Sequence, residues 1–337
     1  MLFPSSCDIE MLENARSRHS EDLYWLALTC KYTPVELTPV LKLYEELGSL
    51  RYVWDPSVLT RYGFNRQSAA EIARRGKEIR PQDCEQMKKN LDERGIKLIK
   101  YSDPEYPAQL RTLISHSEGA PIALYHRGTL KILDRCVSIV GTRVLSHYGH
   151  SVARHLARLL ASRGYIVVSG LARGTDTEAH CGALEAPRGH TVAVTPWMEP
   201  IYPLDNVELA SDIVKRGCVI SEFLQDAAFG RIAKSAFVRR NRITSGLSLC
   251  VVAVESDMDG GTVHQVRLAV AQGRQVFVLE PRSGNQRARR GYDLFLKLGA
   301  TPFKSPATIL RYLERHEAAK GMDQFIRAQQ KLQVALQ

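Results

Sequence analysis

The sequence predicts an α/β protein: a mostly parallel β-sheet flanked by helices, preceded by a small all-α module. Three observations carry this. From Cys136 onward, brief apolar runs alternate with amphipathic stretches of helical length, the pattern of βαβ units. The runs themselves lack polar alternation, as expected of strands buried on both faces of a parallel sheet. Between about residues 20 and 80, by contrast, apolar residues recur three and four apart, the period of a helix.

In chain order, the first module reads as residues 1–80, with Leu23, Leu26 and Ala27, then Leu37, Val40, Leu41 and Tyr44, on helical faces punctuated by Gly48 and Gly63. Residues 81–129 read as a connector containing a helix over 82–94 and a lead-in strand, Ile96–Ile99. The main domain is expected over 130–303. Its strands are CVSIV (136–140), YIVVS (165–169), TVAVT (191–195), CVIS (218–221), LCVVAV (249–254) and QVFVL (275–279). Val152, Leu156, Leu159 and Leu160 mark the buried face of the first helix, and Val263, Val266, Leu268, Ala269 and Val270 crowd a later one. Residues 304–337 read as a helical extension. This arrangement is Rossmann-like.

Composition sets bounds on function. The chain has 337 residues, 44% apolar and 24% charged, an ordinary globular balance. Its formal charge of +10 favours polyanionic partners, although a basic soluble surface would read the same. Seven cysteines form no C-x-x-C pair and read as reduced thiols; Cys136, Cys218 and Cys250 sit in apolar runs as small hydrophobes. No uninterrupted apolar stretch reaches membrane-span length and no signal peptide is evident, so a cytoplasmic protein is expected, with no membrane partner.

In an open parallel sheet, ligands bind beyond the C-terminal strand ends, where loops meet helix N-termini. Three loops have suitable chemistry: Gly141-Thr142-Arg143, the segment from Ser169 and Gly170 to Asp176, and Asp259-Gly260-Gly261-Thr262. None forms a G-x-G-x-x-G or a G-x-x-x-x-G-K-[ST] loop, so neither a dinucleotide cofactor nor nucleoside triphosphate hydrolysis is supported. Each loop alone reads sooner as a tight turn; three at one sheet edge point to a site.

The segment KSAFVRRNRITSGLS (234–248) is the most informative. On a helix, Lys234, Phe237 and Asn241 share one face, combining a phosphate-neutralising cation, a stacking ring and an amide able to reach base or sugar. Arg240 and Arg242 add charge. In the alternative, Phe237 is core and the arginines are a solvated face. A second cluster, Arg282, Arg287, Arg289 and Arg290, either extends the same electropositive surface or, the reading preferred, is a solvated loop. His147, His150, His155 and the His180-Cys181 pair lack a third ligand at metal-site spacing and read as surface or helix-terminal residues; no metal, cofactor or catalytic residue is expected.

The motifs IVGTR, VVSGLARGTDTEAHCGAL, Tyr202-Pro203 with Asn206 to Leu209, SEF, FVRRNRITSGLS and GRQVFVL, in this order, resemble the DprA/Smf family of DNA-processing proteins across about residues 95–303. The N-terminal module is similar to a sterile-alpha-motif-like or helix-hairpin-helix-like domain. The resemblance implies a dimeric single-stranded-DNA-binding recombination mediator that loads a RecA-type recombinase during transformation, with Arg143, Lys234 and Phe237 contacting DNA. Two departures stand out. Arg290-Gly291-Tyr292-Asp293 replaces the usual loop ending, and the extension after Phe303 is too short for a winged helix. The rival reading is a nucleotide-binding enzyme or sensor of the phosphoribohydrolase, or lysine-decarboxylase-like, type. It lacks its acid or base, because Gln265 stands where that signature has Glu.

Overall fold

The computed structural model describes residues 34–77, 81–116, 119–130, 133–224 and 233–319. Leu23, Leu26 and Ala27 lie outside the described residues. The chain divides into two compact units. One comprises residues up to Arg127 with Pro196–Pro200 and Ile220–Ala233; the other comprises Gly128–Thr195, Ile201–Val219 and the chain from Lys234 onward.

The first unit carries α1 (Pro34–Leu47), α2 (Pro56–Arg61), α3 (Arg66–Lys77) and α4 (Pro81–Glu93), then β1 (Lys97–Lys100), a short α5 (Ala108–Arg111) and β2 (Ala123–Gly128). Val40, Leu41, Leu50, Val53 and Leu59 are buried in it. Asp55 caps α2 by accepting from Ser57 N at 2.8 Å, satisfying one of the free N–H groups of the first turn. β1 and β2 are antiparallel, in the register Leu98 opposite Tyr125. Residues 81–127 fall within this unit. The sequence reading missed β2, because ALYHRG mixes apolar and charged residues without a clean period of two.

In the second unit the strands are β3 (Cys136–Val140), β4 (Ile166–Ser169), β5 (Thr191–Val194), the first half of β6 (Cys218–Ser221), β7 (Cys250–Ala253), β8 (Gln275–Leu279) and β9 (Thr301–Phe303). They lie in the order β6-β5-β4-β3-β7-β8-β9. The pairs β3–β4, β4–β5, β3–β7, β7–β8 and β8–β9 are all parallel. Between them run α6 (His147–Ser162), α7 (Thr175–Glu185), α8 (Val207–Arg216), α9 (Ala233–Leu247), α10 (Gly261–Ala271) and α11 (Gln286–Lys297). A further helix, α12, spans 307–319.

The absence of polar alternation now has its cause. Val252, Phe277 and Leu279 pack with Leu156 and Leu160 on one face of the sheet. Their neighbours Val251, Ala253, Val276 and Val278 pack with Val266 and Phe295 on the other. Successive side chains point to opposite faces, so a strand covered on both must be apolar throughout. One helix-face expectation needs correction: Val270 is exposed, whereas Val152 packs, partly buried, against the core beside the fully buried Ala153 and Ala157. Burial raises the thiol pKa of Cys136, Cys218 and Cys250, Cys218 to about 12, as expected of packing residues. Among the described residues no helix is long and apolar enough to cross a membrane.

His180, expected at the surface or at a helix end, is fully buried in the middle of α7. Its Nδ1 lies 2.7 Å from Thr191 Oγ1, which itself donates to Val167 O, so Nδ1 carries the proton. Nε2 is buried without a partner. Burial, aided by the Arg240 charge, depresses the ring pKa from 6.5 to about 3. The native ring stays neutral while the unfolded one protonates below its ordinary value, so this contribution to stability is lost as pH falls from about 6.5 toward 3. His180→Gln is therefore expected to narrow its stability gap to the wild type by about 1–2 kcal/mol between about pH 7 and pH 5. Urea midpoints at the two pH values measure this, and a constant gap would show that His180 does not drive the acid limb.

Candidate nucleic-acid interface

The strand order reverses at β3, whose C-terminal end sits between those of β4 and β7. At such a switch point two loops diverge and leave a crevice. Here the crevice is a cleft of about 520 Å3, lined by Gly141–Val144, by Gly170 and Ala172, by Glu255–Asp257 with Gly260–Thr262, and by Phe237, Arg240 and Asn241 of α9.

Glu255, just past β7, clamps two of these loops together. Its main-chain O accepts from Thr142 N at 2.7 Å, and its carboxylate accepts from Ser146 N at 2.9 Å and Ser146 Oγ at 2.6 Å. Ser146 in turn caps α6 through Gly149 N at 3.0 Å. On the other side Thr142 O accepts from Thr175 N at 3.1 Å and Thr175 Oγ1 at 3.0 Å. Gly174 is required there: its φ is +78° and a Cβ would meet the carbonyl oxygens of Thr142 and Arg143 at 2.6 Å. Leu171, a non-glycine at φ +60°, is held by Asn206 Nδ2, which donates to its carbonyl at 2.8 Å.

Beneath the loops lies a buried charged pair. Asp176 Oδ2 accepts from Gly170 N at 3.1 Å and Ala172 N at 3.2 Å, and Arg240 Nη2 lies 3.9 Å from it. Arg240 also donates through Nη1 to Val194 O at 2.7 Å. Burial raises the Asp176 pKa against the opposing pull of Arg240 and the loop N–H groups, and lowers that of Arg240. The guanidinium lies so close over Gly170 that a Cβ there would sit 1.5 Å from Nη1. Gly170→Ala is thus expected to destabilise the domain by about 1–3 kcal/mol, a cost of overpacking readable from urea unfolding.

The expected site residues separate into two groups. Arg143, Gly170, Phe237, Arg240, Asn241, Gly260, Gly261 and Thr262 all line the cleft. Arg143 is exposed, with its Cζ 5.9 Å from the Phe237 ring centroid. The Phe237 ring meets that of Tyr202 edge-on at 5.4 Å and 74°. Lys234 lies on α9, and its side chain is outside the described residues. Two expectations are corrected. Arg242 is 0% exposed and donates to Arg239 O at 3.1 Å, so it cannot face a ligand. Ser169 is buried, donating to Ile139 O at 2.6 Å across the sheet. The basic stretch is also less of a surface than its charge suggests, since Arg239 is buried as well.

The second basic cluster is not a loop: Arg287, Arg289 and Arg290 lie on α11, with Arg290 paired to Asp257 at 3.0 Å and Arg289 to Asp293. Sequence reasoning passed over Glu255, Asp257 and Tyr202 as site residues. A carboxylate directly following an apolar β-strand at the switch point was the available signal for Glu255. Among the described residues no group of three or more His, Cys, Asp or Glu is placed to hold a metal.

The chain is similar over 190 residues, at 34% identity, to the DNA processing protein DprA of Bacillus subtilis, covering 56% of this chain and 61% of that protein. It is 35% identical over 227 residues to Protein Smf of Escherichia coli, covering 66% and 58% respectively. It thus spans about three fifths of the length of these relatives. Among solved structures, DprA of Streptococcus pneumoniae superposes with a TM-score of 0.71 at 25% identity, covering 87% of this chain and 98% of that one. DNA processing protein A of Helicobacter pylori, a single-stranded-DNA-binding protein, superposes at 0.57 with 28% identity over 66% and 96%. The profile of the DNA recombination-mediator protein A family matches residues 97–314, which hold all nine described strands and every lining residue of the cleft, and the chain belongs to that family.

Proposed function

We propose that this protein binds single-stranded DNA across the mouth of the β3/β4/β7 cleft and acts as a recombination mediator, not as an enzyme. The observation that carries the reading is the exposed Arg143 guanidinium beside the Phe237 ring at the cleft rim, with Tyr202 behind. A cation for phosphate beside an aromatic face for a base is how unpaired strands are held without sequence preference. The net charge of +10 and the likeness to the Helicobacter pylori protein support it. In the finer form of the proposal, the protein works in the cytoplasm as a homodimer and passes its strand to a RecA-type recombinase; this rests on the family. The phosphoribohydrolase alternative is disfavoured. Gln265 donates through Nε2 to Asn241 O at 2.9 Å and has no carboxyl to exchange a proton.

The direct test is a titration of labelled oligo-dT, a duplex of equal length and nucleoside monophosphates at one salt concentration, with product analysis. Preference for the single strand without turnover is the expected result, and equal duplex affinity would overturn the proposal. Arg143→Ala should weaken binding and reduce the log–log salt slope by about one counterion. An unchanged slope would place Arg143 off the strand's path.

A further inference from the structure

Arg282 is a cation that the protein holds in place without neutralising. It is exposed in the connection between β8 and α11, with its Cζ over the Tyr148 ring, 4.4 Å from the centroid. Among the described residues no carboxylate and no hydrogen bond engages its guanidinium. Tyr148, partly buried, packs against the core on the α6 side of the sheet, so the ring is a fixed support. An aromatic face holds a guanidinium through its plane and leaves the N–H groups around its edge free to donate. That edge is a fork matched to a phosphodiester, which accepts two N–H bonds side by side.

Neither residue lines the cleft, but Glu255 ties both to its wall. Its carboxylate accepts from Ser146 Oγ at 2.6 Å, two residues before Tyr148, and from Asn285 Nδ2 at 3.5 Å, three residues after Arg282. Asn285 and Arg287 are themselves lining residues, so the β8–α11 connection runs from the cleft to Arg282.

The neighbouring charges do not cancel this cation. Arg287 and Arg290 share Asp257 at 3.4 and 3.0 Å, and Asp259 adds its field at Arg290. Arg289 pairs with Asp293, and Lys304 with Glu280. Five cations thus stand against four carboxylates, and Arg282 is the one left over. The α11 arginines are exposed, and exposed ion pairs are weak enough to open toward a phosphate. The occupant that fits is a nucleic-acid strand, because the guanidinium–ring pairing repeats that of Arg143 and Phe237. The connections that carry the two arginines leave the sheet from β3 and β8, two strand spacings or about 10 Å apart, which lets one chain meet both.

We propose that Arg282, held over Tyr148, is a second phosphodiester contact outside the cleft, met by the bound strand after it passes Asn285 and Arg287. This rests on the nucleic-acid reading above and adds the direction in which the strand leaves.

The test measures oligo-dT affinity over a series of salt concentrations for the wild type, Arg282→Ala, Arg282→Lys, Tyr148→Leu and the Arg143→Ala/Arg282→Ala double variant. Arg282→Ala should weaken binding about threefold or more and reduce the log–log salt slope by about one counterion. Arg282→Lys keeps the charge and should keep the slope. Tyr148→Leu leaves the guanidinium unsupported and should weaken binding with the slope intact, while melting stays cooperative. The double variant should lose about two counterions, because the arginines serve different phosphates. An unchanged slope in Arg282→Ala, or a double variant that binds no more weakly than Arg143→Ala alone, would overturn the inference. Calorimetry with inorganic phosphate separates the strand from a free anion. Saturable phosphate binding that vanishes in Arg282→Ala while oligo-dT affinity stays constant would assign Arg282 to the free anion and also overturn it. Failure of the single-strand proposal reads out separately, as equal wild-type affinity for oligonucleotide and duplex.

Discussion

Arg240→Met is expected to lower the stability of the cleft domain by about 3–5 kcal/mol, because removing one member of a buried charged pair leaves the other uncompensated. Methionine keeps most of the volume and removes the guanidinium. Asp176 would retain its bonds from Gly170 N and Ala172 N but lose the positive charge that opposes its desolvation. Its pKa, already raised above 3.8 by burial, would rise further. A carboxyl with a raised native pKa costs stability as pH climbs from its unfolded value through its folded one, so the deficit should be smaller at about pH 4 than at pH 7. His180 acts in the same direction, since loss of the nearby Arg240 charge relieves part of its depressed pKa. Urea unfolding of both proteins at the two pH values checks this. A deficit independent of pH would mean that the Val194 hydrogen bond and packing, rather than Asp176, account for the role of Arg240.

Phe237→Ala should fold with a melting temperature close to the wild type yet lose single-strand affinity by about 1–3 kcal/mol, roughly 5- to 150-fold, the usual loss on removing an aromatic platform. The ring is only partly buried and lies outside the two buried clusters of the sheet, so its removal leaves little cavity. Deleting a core phenylalanine instead costs about 3–5 kcal/mol of stability. Thermal unfolding and oligo-dT affinity measured on one preparation separate the two. A large fall in melting temperature with unchanged affinity of the folded fraction would return Phe237 to the core and remove the stacking platform.

The sheet and its helices were legible in the sequence because both faces of each parallel strand are buried. That requirement writes itself into the chain as short, uninterrupted apolar runs such as CVSIV and QVFVL. The three site loops were legible for a related reason: Gly141 and Gly170 fall directly after such runs, and Gly260-Gly261 closes the short loop that follows LCVVAV. The spacing of Phe237 and Asn241 on one helical face also survived, since helix geometry is local and both line the cleft.

Burial of the charged residues was decided by tertiary structure alone. Arg143, Arg240 and Arg242 are the same residue type, yet one is exposed at the rim, one is paired beneath Gly170 and one is sealed in the packing. His180 and Ser169 look like surface or loop chemistry in the sequence and are interior hydrogen-bonding groups. Glu255 becomes a clamp only when β7 lies beside β3 and brings its carboxylate to Ser146, more than one hundred residues away in the chain. Periodicity reports which face of its own element a residue occupies. Whether that face meets water, a carboxylate or another carbonyl depends on which strands become neighbours, and that is set by the packing of the whole sheet.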